Sequence, residues 1–115
     1  MNGSKTKKEH QTDYKERRLT GGVYKIENTR NNRLLLDAAT DLRSSRNLFE
    51  FAKSTGSCVP MQLQADWKAQ GGDGFVYEVL EELTQGETQT AAEFKADVAL
   101  LKEIWIEKLA GRSFY

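Results

Sequence analysis

Cysteine, histidine and proline are nearly missing from this 115-residue sequence, which holds one of each. With Cys58 alone, no internal disulfide and no thiolate metal cluster can form, and a lone thiol is expected to behave as a buried or half-buried small hydrophobe. With His10 alone, histidine metal sites and imidazole-based triads are excluded, and His10 itself sits among charged residues as a solvated side chain. No apolar run approaches the ~18 residues of a membrane span. Met1 to Lys8 is polar and basic with no apolar stretch behind it, unlike a secretory signal. The expectation is a soluble, cytoplasmic chain with no membrane partner, long enough for one core and too short for two.

Net charge is absent as well, with 17 Lys and Arg against 17 Asp and Glu. That balance differs from the strongly basic profile of a dedicated nucleic-acid binder. It conceals a gradient, because residues 1–70 hold thirteen basic against eight acidic side chains and residues 71–115 hold four against nine. A basic face therefore stays open as a reading.

Along the chain, Lys7 to Leu19 is rich in charged helix formers with only Tyr14 and Leu19 as anchors, so residues 1–20 read as a polar arm or helix. Gly22 to Asn28 alternates, with Val23 on one face and Tyr24 and Ile26 on the other, as a strand does. Thr29 to Asn32 supplies turn residues, two of them asparagines that tolerate positive φ, and Arg33 to Asp37 completes a hairpin. Thr40 or Asp41 caps a helix through Ser54, in which Leu42, Leu48, Phe49 and Ala52 recur near helical spacing. Pro60 suits the first turn of a second helix ending at Gln70, before Gly71, Gly72 and Gly74. Phe75 to Leu83 is a strand by its β-branched and aromatic content. Phe94, Val98, Leu101, Ile104, Trp105 and Leu109 mark the strongest helix. The predicted fold is α/β, a small three-stranded sheet flanked by helices in the order β-β-α-α-β-α, with a domain over 21–110 and a C-terminal tail over 111–115. Phe49, Phe51, Trp67, Phe75 and Trp105 have the spacing of core residues rather than of base-stacking platforms.

The strings Gly22-Val-Tyr-Lys-Ile-Glu-Asn28, Phe75-Val-Tyr-Glu-Val-Leu-Glu81 and Trp105-Ile106, in this element order, resemble the GIY-YIG nuclease superfamily over roughly residues 21–109. The resemblance implies phosphodiester hydrolysis in active relatives, with a tyrosine near the attacking water, an arginine on the phosphate and a glutamate holding one divalent metal. Metal and arginine offset charge on the phosphate oxygens while a base takes the water's proton.

Carried over position by position, Gly22 and Tyr24 match the first motif. Leu35, Leu36 and Asp37 stand where the second motif has tyrosine, an aliphatic residue and glycine. Ser45 falls at the arginine position, and Lys102 falls at the metal-binding glutamate, where an ammonium repels a cation. Arg46 and Glu103 are each one residue beyond, and one residue turns a helical side chain by ~100°. The same alignment brings Asp37 and Lys102 close enough for an ion pair.

Three readings follow. The first is a non-catalytic domain with degenerate catalytic positions, no cofactor, and weak, non-specific affinity for DNA through its basic half. The second is a divergent endonuclease using Mg²⁺ or Mn²⁺, with Tyr24, Arg46 or Arg43, and Glu103 as displaced substitutes. The third is a protein-interaction domain with no nucleic-acid role, favoured not by the resemblance but by the neutral net charge and the acidic closing half, its partner left unspecified by the sequence. Arg43 and Arg46 are the nucleic-acid candidates of the first, against their reading as an exposed, solvated pair. Tyr24 stands between a catalytic remnant and an ordinary strand aromatic.

Overall fold

A computed structural model describes residues 19–115; the arm expected over residues 1–20, with His10 and Tyr14, lies almost wholly outside them. The chain forms β1 (Thr20–Asn28), β2 (Arg33–Ala39), α1 (Leu42–Thr55), a 3-10 turn (Met61–Leu63), α2 (Gln64–Gln70), β3 (Phe75–Thr84), α3 (Ala91–Lys108) and β4 (Ser113–Phe114). The sheet order is β3-β1-β2-β4, antiparallel except for the parallel β2–β4 pair.

The alternation of β1 decides the layers. Ile26 and Tyr24 pack with Leu35, Phe49, Ala52, Leu63, Trp67 and Phe75 beneath α1 and α2. Val23, Leu34 and Leu36 face the opposite way, beneath Leu101 and Trp105 of α3, Leu109 just past its end and Phe114 of β4. Helices thus cover both faces, as a sheet apolar on both sides requires. The Trp67 and Phe75 rings stack at 4.6 Å, and the edge of Phe49 meets Trp67 at 6.2 Å.

Local chemistry sets the turns and starts. Asn32 adopts φ 61° in the hairpin, a conformation asparagine accepts readily. Asp41 caps α1 by accepting from the Arg43 and Ser44 amides. Thr90 and Glu93 close a reciprocal capping box at the start of α3. At Gly22, φ is 150°, and a Cβ there would collide with the Glu81 carbonyl oxygen. That contact explains the glycine where β1 crosses its bulge between Val23 and Tyr24.

Five expectations are corrected. The sheet has a fourth strand, because residues 113–114, expected in a tail, pair with Arg33 and Leu34 of β2. Cys58 is exposed, at φ 62° in the turn after α1, so its loop geometry overrides the usual burial of a lone thiol. Phe51 is 47% exposed, since Phe49 and Ala52 take the inward face and a residue two positions from Phe49 points ~200° away. Ile104 is 43% exposed, on the outer side of α3. Pro60 precedes a 3-10 turn rather than sitting inside the first turn of α2.

Candidate functional site

At the end of the sheet away from the hairpin, α1 and α3 leave a cleft of about 680 Å³. Its polar lining includes Tyr24, Asp37, Asp41, Ser44, Ser45, Lys95 and Lys102. Each comes from a different constraint. Tyr24 lies on the central strand, paired with Asp37 on β2 and Val79 on β3. Asp41, Ser44 and Ser45 are the cap and first turn of α1. Lys95 and Lys102 are seven residues apart, two turns along one flank of α3.

Asp37 is already engaged. Lys102 Nζ lies 3.3 Å from Asp37 Oδ1, the contact expected from the sequence, and the Ala38 amide donates to the same oxygen at 2.8 Å. Asp41 is engaged too, accepting from Ser44 Oγ at 3.0 Å besides the two capping amides. Among the described residues no group of three or more His, Cys, Asp or Glu converges as a metal site. A hard divalent cation seeks several oxygen ligands. Here it would meet only two carboxylates, set beside two ammonium groups that repel it, so these residues do not fit such an ion.

Tyr24 has a neighbour that the sequence did not point to. Its ring stacks on Tyr77 of β3 with centroids 4.8 Å apart, and the Tyr77 hydroxyl donates to Ser45 Oγ at 3.1 Å. Burial raises the pKa of the Tyr24 phenol, the Asp37 charge and Tyr77 adding to the shift and a hydrogen bond with Ser45 opposing it. Burial raises Tyr77 likewise, against Ser45 and the Arg46 charge. Both phenols are therefore held protonated at neutral pH, which suits hydrogen-bond donation and disfavours service as a general base.

Tyr24, Asp37, Ser45 and Lys102 converge as a group, whereas the other candidates stand apart. Leu35 is buried in the core. Arg43 and Glu103 are exposed, and neither lines the cleft. Arg46 lies over the outer face of Tyr77, 5.3 Å from the ring centroid, and also lies outside the cleft lining. Lys95 and Tyr77 are the members that sequence reasoning missed. Tyr77 had one signal, its position two after Phe75 and thus on the same face of β3.

Two solved structures are similar to this chain in fold. The catalytic domain of the homing endonuclease I-TevI superposes with a TM-score of 0.56 at 22% identity, covering 77% of this chain and 87% of that one. A point mutant of the same intron endonuclease domain gives 0.55 at 24%, covering 79% and 84%. The fold is GIY-YIG-like. No family model and no curated protein matches the sequence. The likeness is one of architecture, and the chemistry of the cleft rests on the residues it contains. No helix among the described residues is long and apolar enough to cross a membrane.

Proposed function

We propose that this domain is a non-catalytic GIY-YIG-like module that holds nucleic-acid phosphate weakly and without sequence preference. The observation that supports it best is the Asp37–Lys102 contact beside Tyr24, with Lys95 on the same flank of α3. Ammonium groups and hydroxyl donors attract a phosphate oxygen, and Tyr24, Ser44 and Ser45 supply the hydroxyls. Hydrolysis additionally needs a base for the attacking water and an unspent charge for the transition state. The raised phenols make poor bases, and Lys102 is shared with Asp37. Weakness follows from the same balance, since a phosphate must compete with Asp37 for Lys102. Arg43 and Arg46 extend positive charge from the cleft along α1.

The displaced-substitute enzyme reading requires Glu103 and Arg46 to reach Tyr24. Their positions outside the cleft lining favour binding over catalysis.

The test titrates the protein with a short duplex in EDTA and again in Mg²⁺ or Mn²⁺, with strand cleavage followed in the same tube. Binding is expected in EDTA, falling with salt at about one unit of log–log slope per phosphate contacted. Lys95→Gln and Lys102→Gln are each expected to reduce that slope by about one, and Glu103→Gln to leave it unchanged. Metal-dependent cleavage that disappears in Tyr24→Phe would sink the reading in favour of a nuclease. Absence of any duplex binding would leave a protein-interaction role.

A further inference from the structure

Tyr77 stands behind the cleft wall and does not line the cavity itself. It lies opposite Ile26 in the β1–β3 register, which sets it diagonally beside Tyr24 on one face of the sheet. Three neighbours fix its ring. Tyr24 stacks on it at 4.8 Å, Phe49 tilts against it at 5.5 Å, and the Arg46 guanidinium sits 5.3 Å from its centroid. With the ring held, the hydroxyl has a set reach, and it meets Ser45 Oγ at 3.1 Å. Ser45, in the first turn of α1, does line the cleft. Tyr77 thus acts on the wall from the rear, through one hydrogen bond and one stacked ring.

The direction of that bond follows from acidity. A phenol is a stronger acid than an aliphatic alcohol, so it is the better donor and the poorer acceptor. Tyr77 therefore gives its proton to Ser45 Oγ and leaves the Ser45 proton to point elsewhere. Ser45 also shares a hydrogen bond with Tyr24, which lines the cleft. When an anionic oxygen occupies the cleft, Tyr24 is the better donor of the two and turns to it. Ser45 then donates to the Tyr24 oxygen. Each hydroxyl that accepts becomes a stronger donor, so the three act in one direction. Ser44 is the contrast, since its Oγ donates to Asp41 Oδ2 at 3.0 Å and must leave that carboxylate to serve a ligand.

We propose that Tyr77 is a positioning residue of the cleft: by donating to Ser45 Oγ it turns the Ser45 proton toward Tyr24 and leaves Tyr24 as donor to an anionic oxygen of the ligand. The identity of that oxygen rests on the phosphate reading of the cleft, whereas the relay rests on the contacts among Tyr77, Ser45 and Tyr24. A wall that presents only protons accepts a bare phosphodiester oxygen. It rejects a ligand that brings a hydroxyl or amine donor to the same place.

The experiment has two arms, both built on Tyr77→Phe, which keeps the ring and removes only the hydroxyl. The first follows the NMR signal of Tyr24 in the free full chain, with tyrosine isotope-labelled at Cζ, at neutral pH. Tyr77→Phe is expected to shift that signal. Made on top of Ser45→Ala, it is expected to leave the signal where Ser45→Ala alone puts it. The second arm titrates the same proteins with a short duplex in EDTA. Tyr77→Phe should weaken binding about threefold, as loss of one modest hydrogen bond does, with the salt slope unchanged because no phosphate contact is lost. It should have no further effect on Ser45→Ala, and Ser45→Thr, which keeps the hydroxyl, should restore the sensitivity. A side chain acting through packing alone would have the same effect with or without Ser45. Such additivity in either arm, a Tyr24 signal that ignores Tyr77→Phe, or unchanged duplex affinity overturns the proposal. Absence of duplex binding by the unsubstituted protein sinks the phosphate reading instead, and the first arm then decides the relay.

Discussion

The two ends of the β1–β2 hairpin treat polar groups in opposite ways. At the turn end, Asn28 is fully buried and its side chain is saturated. Its Nδ2 donates to Gln70 Oε1 at 3.1 Å and to the Tyr115 hydroxyl at 2.8 Å, and its Oδ1 accepts from Gln70 Nε2 and the Arg30 amide. Tyr115 passes the network on, donating to Asp66 Oδ2 at 2.7 Å. At the cleft end, Asp37 and Lys102 pair while remaining 46% and 36% exposed. A buried amide with all its groups paired fixes structure, because a donor or acceptor left unpaired there is costly. A half-solvated pair exchanges partners cheaply, which is what a ligand-accepting surface needs.

The largest expected effect breaks the Asn28 end. Asn28→Leu removes both ends of the amide and strands Gln70 and Tyr115, so stability should fall by about 3 kcal/mol. Urea denaturation measures it. A loss within the range of an ordinary surface substitution would show that water replaces the partners of Asn28 and that the contrast between the ends is only apparent.

Tyr115→Phe is milder, since the ring keeps its place under the Arg33 guanidinium, 4.4 Å from the centroid, and only the hydroxyl is lost. A cost of about 1 kcal/mol is expected at neutral pH. The pH dependence sharpens the point. The Tyr115 hydroxyl, followed by Asn31 and Asn28, holds the Asp66 carboxyl below its ordinary value near 3.8. A depressed carboxyl contributes stability above its unfolded pKa and loses it as pH falls through the folded one. The native protein should therefore lose stability below pH 3.8 more steeply than Tyr115→Phe. Burial, and then the hydrogen bond to Asp66, raise the Tyr115 phenol above 10. Its contribution is complete below that value and disappears as pH rises through the folded pKa. Acid and alkaline denaturation curves that coincide for the two proteins would remove Tyr115 from the network.

How much of this was legible in the sequence follows from the range of each interaction. The hairpin, α1 and α3 were readable because alternation, an Asp41 cap and helical spacing are local. Strand β4 was not, since two residues carry no periodicity and their pairing depends on Tyr115 reaching Asn28 across the fold. In the cleft, Tyr24, Asp37, Ser45 and Lys102 emerged from motif order, because their positions along adjacent elements can be aligned. Tyr77 and Lys95 stayed hidden, because only cross-strand register and the angle of α3 over the sheet bring them in. The buried polar network was missed entirely, as nothing local distinguishes Asn28 from the turn asparagines Asn31 and Asn32.

The smallest expected effect probes the open end. Asp37→Ala and Lys102→Ala, singly and together, form a cycle whose coupling isolates the pair from the packing of each side chain. With both groups more than a third exposed, the coupling should be about 0.5 kcal/mol and should shrink in added salt. The outcome decides between two accounts of the cleft. A coupling of this size leaves Lys102 available to a phosphate, consistent with a surface that binds. A coupling several times larger, insensitive to salt, would mean that the pair is a structural clamp. In that case the contrast with the Asn28 end would vanish, because both ends of the hairpin would be locked and the cleft would have no cation to give.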